Sequence, residues 1–410
     1  MKALVLAGGL PQAALIEELK SRGIVTVLAD YLPEPVAKSY ADYFYQVSTL
    51  DIPAITEVAQ KEKVDFLITV CTDQALLTVA QVSENLGLPC YIDYRTARNV
   101  TNKSYMKQLF AEKGISTAKH VSMREWDPGK VEGLRYPLIV KPADCNSSKG
   151  VKRIDVPEEL EAAFCNAQNM SRTETVIVEE FILGPELSVD VYVEQGIAHV
   201  LAVSELDKIP DQDKFVIFRS KSPRNLSDEQ LVMIQQTAQQ IADAFGLRNS
   251  PMLIQMIADK NRVYVLEFSA RTGGGEKYVM IRRISGFDPI KAVVDLTLGQ
   301  YPRVKDQVMQ QKRFASEFIY CKSGVFDHMD GAEDLLEDGI LCDFYCFKSA
   351  GTRFDGTVQN SGDRVAGYSM IADSFQELEA KHNAAVSVLK VIDCNGTDMM
   401  RHDLLPPLYE

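Results

Sequence analysis

Residues 263–275, VYVLEFSARTGGG, limit what this chain can be more than any other stretch. Residues 252–257 and 263–268 read as two strands, and residues 258–262, with Asp259, Lys260 and Asn261, as the turn between them. With Gln255 opposite Val265, Gln255 and Glu267 become diagonal neighbours on one face. Ser269, two residues past Glu267, points the same way in an extended chain. Three oxygen-bearing side chains then converge ahead of Arg271 and three glycines. Hard oxygens, a fixed cation and backbone bare of side chains are what Mg²⁺-bound phosphates require. A charged strand end before a flexible loop is the plainer reading of the same residues.

The 410 residues suffice for roughly two to four domains. A net charge of −13 argues against a nucleic-acid partner but leaves room for a local cluster of Lys and Arg around a phosphate. No apolar run approaches the ~20 residues of a membrane span. The opening MKALVLAGG reads as a buried strand and turn rather than a signal peptide, so a cytoplasmic protein without a membrane partner is expected. The eight cysteines form no CxxC and are expected to be free thiols; the five histidines stand apart.

Residues 1–100 alternate strand (2–7, 25–29, 64–70, 89–92) and helix (11–22, 73–86), a small doubly wound α/β unit. Gly8-Gly9 and Asp30 invite a dinucleotide reading, but GxGxxG is absent, and a scaffold contributing a substrate-facing loop fits better. A helix is expected at 102–112, strands at 137–141, 151–154, 176–181 and 187–193, and a capped helix from Ser227 to Gly246 with Leu231, Ile234, Ala238, Ile241 and Phe245 on one face. Beyond residue 300 the chain is strand-rich, with a helix at 374–386.

Lys141 closes an apolar strand, and the loop PADCNSSKG (142–150) follows. Such a loop can fold over a triphosphate, its N–H groups and Lys149 adding to Lys141; a mobile hairpin is the alternative. It is not a Walker A loop, and no base accompanies Cys145 to make it a nucleophile. Residues 179–190, EEFILGPELSVD, end a strand in two acids and could offer backbone groups to an adenine edge and a carboxylate to a ribose.

In this order, a lysine at a helix start, a lysine ending a strand, the Ser/Gly loop, EEFIxGPExSVD and Q-x11-E-x-S-x-R-x-G-G-G resemble the ATP-grasp superfamily of carboxylate–amine ligases over nearly the whole chain. The resemblance implies an α/β and α+β multidomain fold. Residues 1–100 would form the α/β domain preceding the grasp. Residues 101–300 would form the two α+β lobes, the smaller at about 115–180 and the larger at about 181–300. Residues 301–410 would form a strand-rich C-terminal domain like that of phosphoribosylglycinamide-synthetase and biotin-carboxylase-like members.

By position, the resemblance makes Lys103 and Lys141 the phosphate-binding lysines, and residues 144–150 the flap, with Ser147, Ser148, Lys149 and Gly150 on ATP. Glu179, Glu180, Phe181 and Ile182 become the adenine hinge, and Glu186 the ribose carboxylate. Gln255, Glu267 and Ser269 fall at the Mg²⁺ (or Mn²⁺) ligands, and Arg271 at the group steadying the transferred phosphoryl. Gln255 and Ser269 depart from the commoner acid and asparagine, which leaves the site one formal carboxylate.

The implied reaction is two-step. ATP converts a carboxylate to an acyl-phosphate, then an amine displaces phosphate; the substrates are small molecules, and a homodimer is a family-level expectation. Phosphorylation of bicarbonate in the carbamoyl-phosphate-synthase manner, and an ATP-binding sensor or scaffold without catalysis, are the competing readings. Residues 204–223, with Lys208, Lys214, Arg219 and Lys221, are expected to border the acceptor site. Residues 361–365 either reach substrate or form a structural turn.

Overall fold

Alternation along the first strand decides the N-terminal architecture. Ala3 and Val5 point to one face, where they meet Leu15, Ile16 and Leu19, while Leu4 and Leu6 meet Ile55, Val58 and Val79 on the other. A strand buried on both sides belongs to a parallel sheet between helices. In the computed structural model, which describes residues 1–145, 149–209, 215–260, 262–304 and 312–409, that sheet comprises β1 (Lys2–Leu6), β2 (Val25–Asp30), β3 (Tyr43–Gln46) and β4 (Phe66–Ile68). Its order is β3-β2-β1-β4, all parallel, with α1 (Leu10–Ser21), α2 (Ile52–Glu62) and α3 (Asp73–Leu86) around it.

Residues 89–92 form no strand: Tyr91 is drawn away from the sheet, its hydroxyl donating to the Ala270 carbonyl at 3.0 Å. The Gly8-Gly9 turn is not open to phosphate. The Gly9 N–H donates to Gln12 Oε1 (3.0 Å), Gln12 Nε2 to the Val70 carbonyl (2.6 Å), and a Cβ on Gly8 would sit 2.5 Å from that of Pro35.

Helices α4 (Tyr94–Val100) and α5 (Lys103–Lys113) lead out of the parallel sheet into the next unit. Asn102 caps α5 through the Tyr105 N–H, and Gly114 ends it in the left-handed region. The smaller lobe holds β5 (His120–Met123), α6 (Pro128–Val131), β6 (Leu138–Pro142), β7 (Lys152–Ile154), α7 (Leu160–Met170) and β8 (Val176–Glu180). Its antiparallel sheet has the order β5-β8-β6-β7.

The larger lobe contributes β9 (Glu186–Glu194), β10 (Ile197–Lys208), β11 (Ile217–Lys221), α8 (Asp228–Phe245), β12 (Ser250–Asp259), β13 (Arg262–Ser269), α9 (Lys277–Ser285) and α10 (Pro289–Thr297). Then come β14 (Arg313–Ile319), β15 (Ser323–Asp330), α11 (Ala332–Glu337), β16 (Asp343–Cys346), β17 (Arg353–Asp355), β18 (Ala366–Ala372), α12 (Phe375–Val388) and β19 (Lys390–Asp393). One eight-stranded sheet runs β13-β12-β9-β10-β11-β14-β18-β16; the pairing of β11 with β14 carries it past residue 300. The capping box of Ser227 and Gln230 forms as the sequence predicts, and Ile234, Ala238 and Ile241 face the core. Leu231 is instead exposed. Among the described residues no helix is long and apolar enough to cross a membrane.

Residues 204–223 are largely strand rather than loop, and Leu206, Phe215, Val216, Ile217 and Ser220 among them line the cavity described below. They build β10 and β11, paired antiparallel, with Lys214 outside the described residues. Two of the basic side chains are spent on the chain's own end. Buried Arg219 donates to Glu317 Oε1 at 2.5 Å, to Asp207 at 3.1 Å and to the carbonyls of Pro406 and Pro407. Lys221 reaches Asp207 (2.8 Å) and the Leu408 carbonyl (2.7 Å). Glu317 also accepts from Tyr368 at 2.5 Å and meets His382 Nδ1 at 2.8 Å. Burial pushes the Glu317 carboxyl up, but Arg219 and His382 outweigh it and hold the pKa below the usual range.

Removing Arg219 strands that carboxylate. Arg219→Ala is expected to cost about 3–5 kcal/mol at neutral pH, read from urea unfolding. The sign follows from the depressed pKa: stability from this pair is present above the ordinary carboxylate range and lost as pH falls through the folded value. The gap between wild type and variant should therefore narrow in acid, and a loss under about 1 kcal/mol at pH 7 would show that the network carries little.

Candidate active site

A hairpin places the oxygens. β12 and β13 pair with Gln255 directly opposite Glu267, not Val265: the turn is tighter than expected, with Asp259 against Arg262, and a bulge between Gln255 and Met256, which sets Met256 against Val265, shifts the register by one residue more. Gln255 Nε2 donates to Glu186 Oε1 (3.2 Å), which leaves the amide oxygen for another partner. Glu267 meets Lys103 Nζ at 2.9 Å. Ser269 lines one small pocket with Gln255 and Glu267, and its hydroxyl donates to Asp73 Oδ1.

Asp73, the first residue of α3, was invisible in the sequence and organises this end of the site. It holds Arg271 through both oxygens, Nε to Oδ1 at 2.8 Å and a terminal nitrogen to Oδ2 at 2.6 Å. Burial raises the Asp73 pKa, yet the Arg271 guanidinium outweighs it and keeps the carboxylate ionised. For Arg271 burial opposes the charge and Asp73 restores it, raising its pKa.

The lysines sort into two groups. Lys103, at the start of α5, donates from its backbone to Ala143 O (3.1 Å) and from Nζ to Cys145 O (2.8 Å), pinning the loop after β6 next to Glu267. Lys141 is buried against Glu179 Oε1 at 2.5 Å, and Lys107 meets Glu179 Oε2 at 2.8 Å. Lys107 lies four residues after Lys103 on the same helix, a spacing that could have revealed it. Burial drives the Lys107 pKa down despite Glu179; burial also pushes Glu179 up, but the two lysines hold it down.

The expected adenine hinge is therefore only partly free. The Glu179 carboxylate is a counter-ion for lysines, and Glu180 accepts from the Arg135 N–H (3.1 Å) and guanidinium (2.9 Å). The Glu180 and Phe181 N–H groups donate to the carbonyls of Lys119 and Pro137 (both 2.9 Å), and the Phe181 ring lies under Arg153. The Ile182 N–H has no acceptor among the described residues. Glu186 is paired with Lys208 beside Gln255. Ser147 and Ser148 lie outside the described residues.

A cavity of about 890 Å³ is lined by Lys149, Gly150, Gln255, Glu267 and Arg271 together with Glu276, Tyr345, Ser361 and Arg364; Lys103, Lys141 and residues 179–182 do not line it. Residues 71–74 of the N-terminal α/β unit form part of its wall. Residues 361–365 serve both readings: Ser361 lines the cavity, while Arg364 donates to Ile217 O (3.0 Å) and Tyr320 Oη (3.2 Å). The three glycines are not all bare for a ligand, since a Cβ on Gly273 would lie 2.5 Å from Asp190 Oδ1. All eight cysteines are free. Burial pushes Cys71 up to about 12 and raises Cys145, so neither is an activated thiolate.

The donor chemistry fits Mg²⁺ in a particular way. Among the described residues no three His, Cys, Asp or Glu side chains cluster as a closed metal site. Glu267 and the Gln255 amide oxygen are two hard oxygens on facing strands, enough for an ion that takes its remaining ligands from phosphates.

Residues 134–279 match the family model described as the ATP-grasp domain. The chain is 27% identical to a phosphoribosylamine–glycine ligase of Streptomyces coelicolor, over 98% of this chain and 97% of that one. It is 29% identical to a D-alanine–D-alanine ligase of Geobacillus thermodenitrificans over 48% of this chain, and spans only 57% of that relative. In fold it resembles the L-amino acid ligase from Bacillus licheniformis, with a TM-score of 0.80 at 20% identity, covering 96% of this chain and 98% of the other.

Proposed function

We propose that this chain, which carries an ATP-grasp domain, is an ATP-dependent ligase that joins a carboxylate to an amine through an acyl-phosphate, releasing ADP and phosphate. The observation that carries the reading is the convergence of Lys149, Gln255, Glu267 and Arg271 on one cavity whose thiols among the described residues, Cys71 and Cys145, are held protonated. Both curated relatives are named for ligases that use an amino acid, glycine or D-alanine, so the substrates are small molecules of that kind.

In this reading the triphosphate lies between the lobes, with the β6–β7 loop over it and Lys103 and Lys149 beside its charge. Lys141 acts from behind, fixed by Glu179. Glu267 and Gln255 would hold Mg²⁺ or Mn²⁺, which supplies neutralisation of the phosphate charge. A carboxylate oxygen attacks the γ-phosphorus and ADP leaves with the bridging oxygen. The amine then attacks the acyl carbon, loses a proton and expels phosphate. Arg271, held by Asp73, faces the moving phosphoryl group. Nothing in these steps needs a side-chain nucleophile; the work is positioning and electrostatics.

The test is product analysis. Purified protein with Mg·ATP and pairs of amino acids should release ADP and phosphate in step with amide formation. Release of AMP and pyrophosphate would mean activation by adenylation and would overturn the reading.

A further inference from the structure

The cavity wall also holds an acid with which no described cation forms an ion pair. Glu276 is 8% exposed and lines the cavity; its carboxylate takes its own backbone N–H and feels the charge of Arg364, but among the described residues no side chain pairs with it. It precedes α9 at the N-cap position, but its side chain caps no N–H of that helix. The neighbouring cations are committed elsewhere. Lys277 sits 3.6 Å from Asp190 and donates to Ser204 Oγ at 3.1 Å. Arg364 lies 3.5 Å over the Phe318 ring and donates to Ile217 and Tyr320.

A second, independent orphan stands beside it. The Tyr345 hydroxyl is buried with no hydrogen-bond partner, lines the same cavity, and lies within electrostatic reach of Glu276. Burying a carboxylate and a phenol unpaired costs several kcal/mol in a folded chain, a cost that a bound cationic donor would offset. An ammonium suits both: it donates to the carboxylate and to the phenol oxygen, and carries the charge Glu276 lacks.

We propose that Glu276 and Tyr345 form a recognition site for the ammonium group of a substrate, so that the enzyme takes an amino acid rather than a carboxylic acid lacking the amine. This deepens the ligase reading and rests on it for the role of the cavity. The common L-amino acids and their 2-hydroxy counterparts serve as probes. Binding is measured by calorimetry on the full chain with Mg²⁺ and a non-hydrolysable ATP analogue, and ADP release is measured separately with ATP.

At least one amino acid should bind about tenfold or more tighter than its hydroxy counterpart. Glu276→Gln and Tyr345→Phe should each weaken that amino acid by about tenfold or more, while the hydroxy acid and the ATP analogue bind within about twofold of wild type. The Tyr345→Phe variant guards against a folding defect at Glu276. Equal binding of amino and hydroxy acids overturns the proposal, as does amino-acid binding insensitive to both substitutions, or no amino-acid binding at all. ADP release with plain carboxylates in that last case would keep the ligase reading. Glu276-dependent binding without any ADP release would sink the ligase reading and leave the ammonium site standing.

Discussion

Glu267→Gln is expected to lower ADP formation at saturating ATP by about two orders of magnitude or more, the range seen for single electrostatic groups at a reacting phosphate. Two losses combine at this position. The pair facing each other across β12 and β13 falls from one carboxylate and one amide to two amides, which removes the only formal charge offered to a divalent ion. Lys103, buried and 2.9 Å from Glu267, also loses its counter-ion. Burial pulls the Lys103 pKa down and Glu267 is the largest influence holding it up; without that acid the lysine's charge becomes harder to keep. The Mg²⁺ concentration for half-maximal rate should rise in the variant. Lys103→Met should weaken ATP binding while leaving the Mg²⁺ dependence closer to wild type. Near-normal turnover in a folded Glu267→Gln protein would mean that the metal position is misplaced.

What could be read from the sequence was what is decided locally. Helix α8 announced itself because Ser227, Gln230 and Gly246 act within a turn of its ends, and the oxygens of the β12–β13 hairpin because strand alternation is set by neighbours. The register was off by two residues, one from a turn tighter than expected and one from a bulge that adds a residue to one strand, and no residue type marks either. Asp73 escaped because its partners Ser269 and Arg271 lie 196 and 198 residues away. Arg219 and Lys221 were misassigned for a chemical reason: a cation that will bind a ligand and one that will bind carbonyls of the chain's own tail look alike until the tail is placed. Glu179 illustrates the same limit, an acid at a strand end whose task depends on Lys107 and Lys141 arriving from other elements. Glu276 and Tyr345 gave no signal at all, since the absence of a partner is a property of three-dimensional packing only.

Arg271→Ala should lower kcat by about two orders of magnitude or more while ATP affinity changes modestly. The distinction follows from placement. In the proposed reading Lys103 and Lys149 lie beside the resting triphosphate, whereas both oxygens of Asp73 fix the plane of Arg271. A guanidinium so fixed cannot follow the substrate, so its stabilisation grows only as the phosphoryl group moves toward it, and an interaction stronger in the transition state than in the ground state appears in kcat. Asp73 is then a positioning residue. Asp73→Asn keeps one acceptor for Arg271 Nε but loses the charge that offsets burial of the guanidinium, and should cost less than Arg271→Ala, again in kcat. In the double variant the Asp73 effect should vanish, because a residue that acts only through Arg271 has nothing left to orient. Additive losses in the double variant, or a fall in ATP affinity as large as the fall in kcat, would place Arg271 on the bound triphosphate and refute its role at the transferred group.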